Sequence, residues 1–229
     1  MSIGDRPHVL HGAAARAIQP LAAQIPHPLV LVVVEGPFDI EFLKRISTIL
    51  AAGPADVPNL VEMERRRELM FFPFGGDPWL WADRLASLGL PEFHLYDREA
   101  PPETELRERA ANAVNLRLAC QAVLTAKRSL DNYLHPQAIA EVCGVDVEFG
   151  DNEHVANLIA EQLYKTQDHV PWCQLPRRTQ VRRRNRVKKR LHTKAVDRMT
   201  IDRLAERDPQ GEVVSWLKSI VRLAYHRPA

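Results

Sequence analysis

Leu29-Val30-Leu31-Val32-Val33-Val34-Glu35-Gly36-Pro37-Phe38-Asp39 is an unbroken run of leucine and valine that stops on a carboxylate, a glycine, a proline and a second carboxylate. An apolar run without polar alternation describes a strand covered on both faces, as at the centre of a parallel sheet. Gly36 allows a sharp turn, and Pro37 suits the first turn of a helix, where its missing N–H leaves no bond unmade. Phe42, Leu43, Ile46, Ile49 and Leu50 then recur at helical spacing. Asp39 therefore falls in the first turn, at the dipole end that favours anions and close to Glu35. Open α/β sheets gather their ligands at this carboxyl end of the strands.

Working outward, the same alternation of strand and helix repeats. Strands are expected at 69–72, at 92–96 ending on Asp97, and at 120–125. Between them, Gly75-Gly76-Asp77-Pro78 reads as a turn and helix start, with Trp79, Leu80, Leu85 and Leu88 on the helix that follows. Thr104 opens another helix, with Leu106, Ala110, Ala113, Val114 and Leu118 at helical spacing. The charged run 62–68 is expected to face solvent, after a Pro/Gly/Asp connection at 52–59. Beyond about Ala140 the pattern turns helical, at 154–164, at 187–199 and through Trp216, Leu217, Ile220, Val221 and Ala224. This order predicts an α/β fold with a mainly parallel sheet. Ahead of it, 11–23 is alanine-rich and suits a short helix.

The chain has 229 residues, 45% of them apolar and 26% charged, ordinary for a globular protein able to bury a core. Its longest apolar run is far too short for a transmembrane span, and the first residues lack the basic, apolar, small-residue order of a secretory signal. A cytoplasmic location with no membrane partner is the expectation. Cys120, Cys143 and Cys173 form no CxxC or Cys/His cluster, so they are read as small apolar fillers rather than as a disulfide framework or zinc site. No glycine-rich phosphate loop is present, which argues against a nucleotide-triphosphate motor.

Net charge is +2, but residues 177–190 hold nine basic residues and no acid, and removing nine from +2 leaves −7 for the remainder. A basic strip on an acidic body is the footprint of a polyanion partner. The strip comprises Arg177, Arg178, Arg182, Arg183, Arg184, Arg186, Lys188, Lys189 and Arg190. A solvated helix face is the plainer alternative.

Glu35, Asp39, Asp97 and Glu99 are all expected at, or just beyond, the carboxyl ends of strands. Acids converging in one crevice repel unless protonated or bridged by cations. Oxygen ligands of this kind suit Mg²⁺ or Mn²⁺, and two such ions about 4 Å apart can activate water and stabilise a leaving oxygen in phosphodiester cleavage. Each pair alone also fits a plainer role, as helix caps or as acids in a surface loop.

The residues resemble a known family, the Toprim domains of type II topoisomerases, DnaG-type primases and OLD (overcoming lysogenization defect) nucleases. Val32-Val33-Val34-Glu35-Gly36-Pro37-Phe38-Asp39 is similar to the family's first motif, and His94-Leu95-Tyr96-Asp97-Arg98-Glu99 to its second, a strand ending in Asp-x-Asp. Phe72-Pro73-Phe74-Gly75-Gly76 and Lys127-Arg128-Ser129-Leu130-Asp131-Asn132-Tyr133-Leu134 are similar to segments of the OLD subgroup. Glu99 stands where that pattern has Asp, and Asp131 where it has Glu.

The resemblance implies a Toprim-like catalytic domain over 28–140, preceded by a leader at 1–27 and followed by a C-terminal helical extension at 141–229 that carries the basic strip. It implies a Mg²⁺- or Mn²⁺-dependent endonuclease acting on DNA. Glu35 is then a metal ligand and general acid/base, with Asp39, Asp97, Glu99 and Asp131 completing the metal shell. Lys188, Lys189 or Lys194 supplies the basic residue that such nucleases place near the scissile phosphate, a point charge for a developing oxyanion. Alternatives are an RNA-processing enzyme and a non-catalytic nucleic-acid-binding or complex-forming module. OLD proteins join an ATPase to the Toprim part, so a separate ATPase chain is one expected partner, and a homo-oligomer another arrangement. His94 is expected to be packed or exposed rather than at the site, Tyr133 to be a core tyrosine with a bonded hydroxyl, and His135 to be near DNA. Trp79 and Trp81 are expected to anchor a helix to the sheet.

Overall fold

A computed structural model describes residues 29–54, 56–165 and 170–225. Its centre is a four-stranded, all-parallel sheet in the order β2-β1-β3-β4, made by β1 (Val30–Val34), β2 (Leu69–Pro73), β3 (Glu92–Tyr96) and β4 (Cys120–Leu124). Every residue of β1 is buried, as its unbroken apolar run requires. Val34 is level with Leu95, so β1 and β3 end side by side. Helix α1 (Pro37–Ala51) starts at Pro37 behind an extended Gly36 and buries Phe42, Leu43, Ile46 and Leu50.

The faces of the sheet are covered unequally. Val30, Val32 and Val34 point into the larger core, which takes in α1, α2 (Leu60–Arg65) and the C-terminal helices α5 (Pro136–Cys143), α6 (Val155–Lys165), α7 (Arg177–Arg190), α8 (Ile201–Arg207) and α9 (Glu212–Tyr225). Leu31 and Val33 point the other way, against α3 (Trp79–Ala82) and α4 (Glu103–Asn115). Helix α7 runs on into a π turn (Leu191–Ala195) and a 3₁₀ turn (Val196–Arg198). No helix among the described residues is long and apolar enough to cross a membrane.

Four expectations need correction. The run 62–68 is not wholly solvent-facing: part of it forms α2, capped by Asn59, and Glu68 is buried against Arg66 at 3.0 Å. The helix expected after Pro78 lasts four residues and is followed by a separate 3₁₀ turn (Ala86–Leu88) that Gly89 ends in the left-handed region at φ 61°. Of its two tryptophans only Trp81 packs on the sheet, its ring 5.0 Å from that of Phe72, while Trp79 is exposed. Cys143 is buried as a filler should be, but Cys173 is exposed. The helix expected at 11–23 lies outside the described residues.

The free edge of β4 is blocked by a side chain. Asn115, at the end of α4, accepts the Ala122 N–H at 2.7 Å and donates to the Ala122 carbonyl at 3.0 Å, imitating a neighbouring strand. Unpaired strand edges invite pairing with other chains, and this amide removes the invitation at one residue. Asn115→Ala is expected to lower stability by about 1–2 kcal/mol and to increase self-association. Denaturant unfolding and size-exclusion chromatography over a concentration series measure both, and an unchanged midpoint would deny Asn115 this role.

Candidate metal centre

Three strand ends and one helix build the site. Past β1 the chain turns through Gly36, whose N–H donates to Asp39 Oδ2 over 2.8 Å, folding this carboxylate back over the start of α1. Past β3 lies Asp97, buried, with its Oδ1 accepting the Leu130 N–H at 3.0 Å. Past β4 the chain enters a 3₁₀ turn (Leu130–Tyr133) that carries the buried Asp131. Helix α7 supplies the counter-charge, the Lys188 ammonium standing 3.5 Å from both Asp39 Oδ1 and Asp97 Oδ2.

Burial works against the Lys188 ammonium, yet the carboxylates of Asp97, Asp39, Asp131 and Glu35 outweigh it and hold the amine protonated well above the usual lysine range. Burial pushes the Asp97 carboxyl far up; Lys188 opposes the rise, and Glu35, Asp39 and Glu99 add to it. Glu35 is also raised by burial, despite a bond from Arg107 Nε to its Oε1 at 2.8 Å. Asp131 goes the other way: burial raises it, but the His192 imidazole, bonded through Nε2 at 2.6 Å, brings it below the ordinary carboxylate range.

The structure thus brings Glu35, Asp39, Asp97 and Asp131 around one amine and places Glu99 beside them, bonded to Arg128 at 3.2 Å. Glu99 has a left-handed backbone, φ 55°, an uncommon conformation for a residue with a side chain. Of the three lysines singled out by sequence, Lys188 reaches the acids, whereas Lys189 and Lys194 are exposed. In the basic strip Arg177, Arg178, Arg182, Arg186, Lys189 and Arg190 are exposed, Arg184 is half-buried, and the Arg183 guanidinium lies 4.1 Å over the Tyr164 ring. His94 is buried below β3's end and bonds Tyr96 Oη at 2.8 Å and Glu92 at 2.7 Å. Tyr133 is a core residue whose hydroxyl bonds Glu212, and His135 caps α5 and pairs with Glu206 at 2.9 Å.

His192 escaped the reading of the sequence. It follows Lys188 by one helical turn, and that i, i+4 spacing within a basic helix was the one available signal.

The donor set suits a hard divalent cation: several carboxylate oxygens, among them the buried Asp39 Oδ1, which has no hydrogen-bond partner. Among the described residues no three His, Cys, Asp or Glu side chains stand ready around a single point. The chain's own cations hold the acids instead, Lys188 between Asp39 and Asp97, Arg107 on Glu35 and Arg128 on Glu99.

Solved structures similar to this chain include the C-terminal region of the Xanthomonas campestris pv. campestris OLD protein phased with iodine. It is 12% identical, has a TM-score of 0.45 and covers 86% of this chain and 98% of its own. The same region phased with platinum is 11% identical, with a TM-score of 0.42 and coverage of 85% and 91%. What this chain is similar to is the C-terminal region of that protein. No protein-family model and no curated protein matches it. Overlap of this extent carries no functional weight, and what the site can do rests on its side chains.

Because the Asp97 carboxyl is raised in the fold, folding takes up a proton there. Its contribution to stability is full below the unfolded value, about 3.9, and is lost as pH rises toward the folded one. Asp97→Asn keeps an oxygen for the Leu130 N–H and removes the buried charge. With chelator present its stability relative to the wild type should be highest at pH 7.5 and fall toward pH 4, on top of the constant cost of taking one carboxylate from Lys188. Parallel melting curves at both pH values would contradict this.

Proposed function

We propose that this protein hydrolyses phosphodiester bonds of DNA at the cluster of Glu35, Asp39, Asp97, Glu99 and Asp131, with Mg²⁺ or Mn²⁺. The observation that carries this reading is Lys188. It belongs to the basic helix suited to a polyanion, and its ammonium sits between the acids suited to divalent ions. Backbone held along α7 is thereby led to the acid cluster.

The carboxylates would hold ions whose chemistry is to polarise the phosphodiester and generate a hydroxide nucleophile. The chain's own groups do the rest. The exposed arginines of α7 bind phosphates, an interaction that positions the strand without reading its sequence. Lys188 offers a compact positive charge to a developing oxyanion. Glu35, its carboxyl raised by burial and steadied by Arg107, takes or returns a proton nearer to neutral pH than an exposed glutamate can.

A second reading has its own support. Arg107 on Glu35 and Arg128 on Glu99 already neutralise two acids, as in a module that binds nucleic acid without cutting it. Plasmid cleavage with Mg²⁺ or Mn²⁺ separates the two. The nuclease reading expects wild-type cutting and a loss of about 10²–10⁴-fold in Glu35→Gln, with structured RNA as a parallel substrate. No cutting with either metal would leave the binding module, and equal cutting by both proteins would remove the mechanism built on Glu35.

Both readings expect salt-sensitive DNA binding. In Arg178→Ala/Arg182→Ala/Arg186→Ala, the slope of log affinity against log salt should fall by about 0.9 for each phosphate that is no longer neutralised. A slope equal to the wild type's would place the backbone elsewhere.

A further inference from the structure

His192 lies in the π turn that follows α7 and is completely buried. Such turns widen a helix locally and often mark functional positions. Its Nε2 is 2.6 Å from Asp131 Oδ1, so the Nε2–H donates to the carboxylate. Its Nδ1 is 3.5 Å from Asp39 Oδ1, and both of these atoms are buried without a hydrogen-bond partner. The Phe42 ring packs against the imidazole, with centroids 5.5 Å apart.

An apolar residue would fill this space without burying polar atoms, which is costly unless they are bonded. The imidazole instead touches two acids from different parts of the chain, Asp39 on α1 and Asp131 after β4. Carboxylates that bind metals are commonly fixed by hydrogen bonds from groups outside the ligand set, and losing such a partner weakens metal binding. We propose that His192 is a positioning residue of the metal centre, its Nε2–H fixing Asp131 and its ring holding that carboxylate in place relative to Asp39. This rests on the metal-centre reading above.

Mn²⁺ binding to the full chain, followed by titration calorimetry, tests it without reference to cleavage. Three variants divide the ring's duties. His192→Leu keeps volume and packing on Phe42 but no polar atom, His192→Asn keeps an amide on the Asp39 side, and His192→Gln places an amide N–H where Nε2 donates to Asp131. The expected result is Mn²⁺ affinity weakened by about 10–100-fold in the Leu and Asn variants, with most of it recovered in Gln. A purely structural role predicts the opposite order, Leu tolerated best.

Thermal unfolding identifies any variant that fails to fold, and the Asn and Gln pair decides the matter if Leu does not fold. Wild-type affinity in Leu or Asn, or Gln binding as weakly as Asn, would overturn the role of His192 alone. A wild-type protein that binds no Mn²⁺ would overturn the metal centre and this role with it.

Discussion

The Lys188 ammonium shared between Asp39 and Asp97 is the interaction on which the arrangement of this molecule turns. A parallel sheet inevitably brings strand ends together, and here it brings acids together in a buried place. Left unpaired, those carboxylates would repel across low-dielectric space. One amine, 3.5 Å from each, moderates that repulsion without filling the coordination of either acid. The same pairing holds a strongly basic helix against the sheet's carboxyl end. Buried ion pairs add little to stability once desolvation is counted, so this pairing fixes geometry more than it stabilises the fold.

The loop that carries Asp131 is held from several sides. Asn132 donates to the carbonyls of Gly150 and Glu153 at 2.9 and 3.1 Å, and Arg207 donates to the Asn132 carbonyl at 2.8 Å. Glu212, at the start of α9, takes the Tyr133 hydroxyl and the Ala126 N–H. Leu130 delivers its own N–H to Asp97. The C-terminal helices are therefore part of the site's frame, holding the loop that carries this acidic side chain.

Much of the frame is legible in the sequence. The valine run, its abrupt end at Glu35, and the strand ending at Asp97 can be placed because burial on both faces of a central parallel strand leaves an unmistakable pattern. The helix after Pro78 is shorter than its spacing suggests, since Trp79, Leu80 and Leu88 share helical spacing but are exposed, and spacing alone does not say which residues find a partner. The burial of Glu68 is invisible for the same reason, because its shelter comes from the fold around it.

The sequence by itself determined the parallel α/β architecture, the acids at the strand ends and a strongly basic helix, because each is written in local periodicity or composition. Tertiary structure alone decided which lysine meets the acids, that His192 joins Asp39 and Asp131, and that Arg107 holds Glu35. Those partners lie 91, 61 and 72 residues apart in the pairs Lys188–Asp97, His192–Asp131 and Arg107–Glu35. Pairings over such distances depend on how helices pack and on where a π turn aims a side chain, and no local pattern along the chain encodes either.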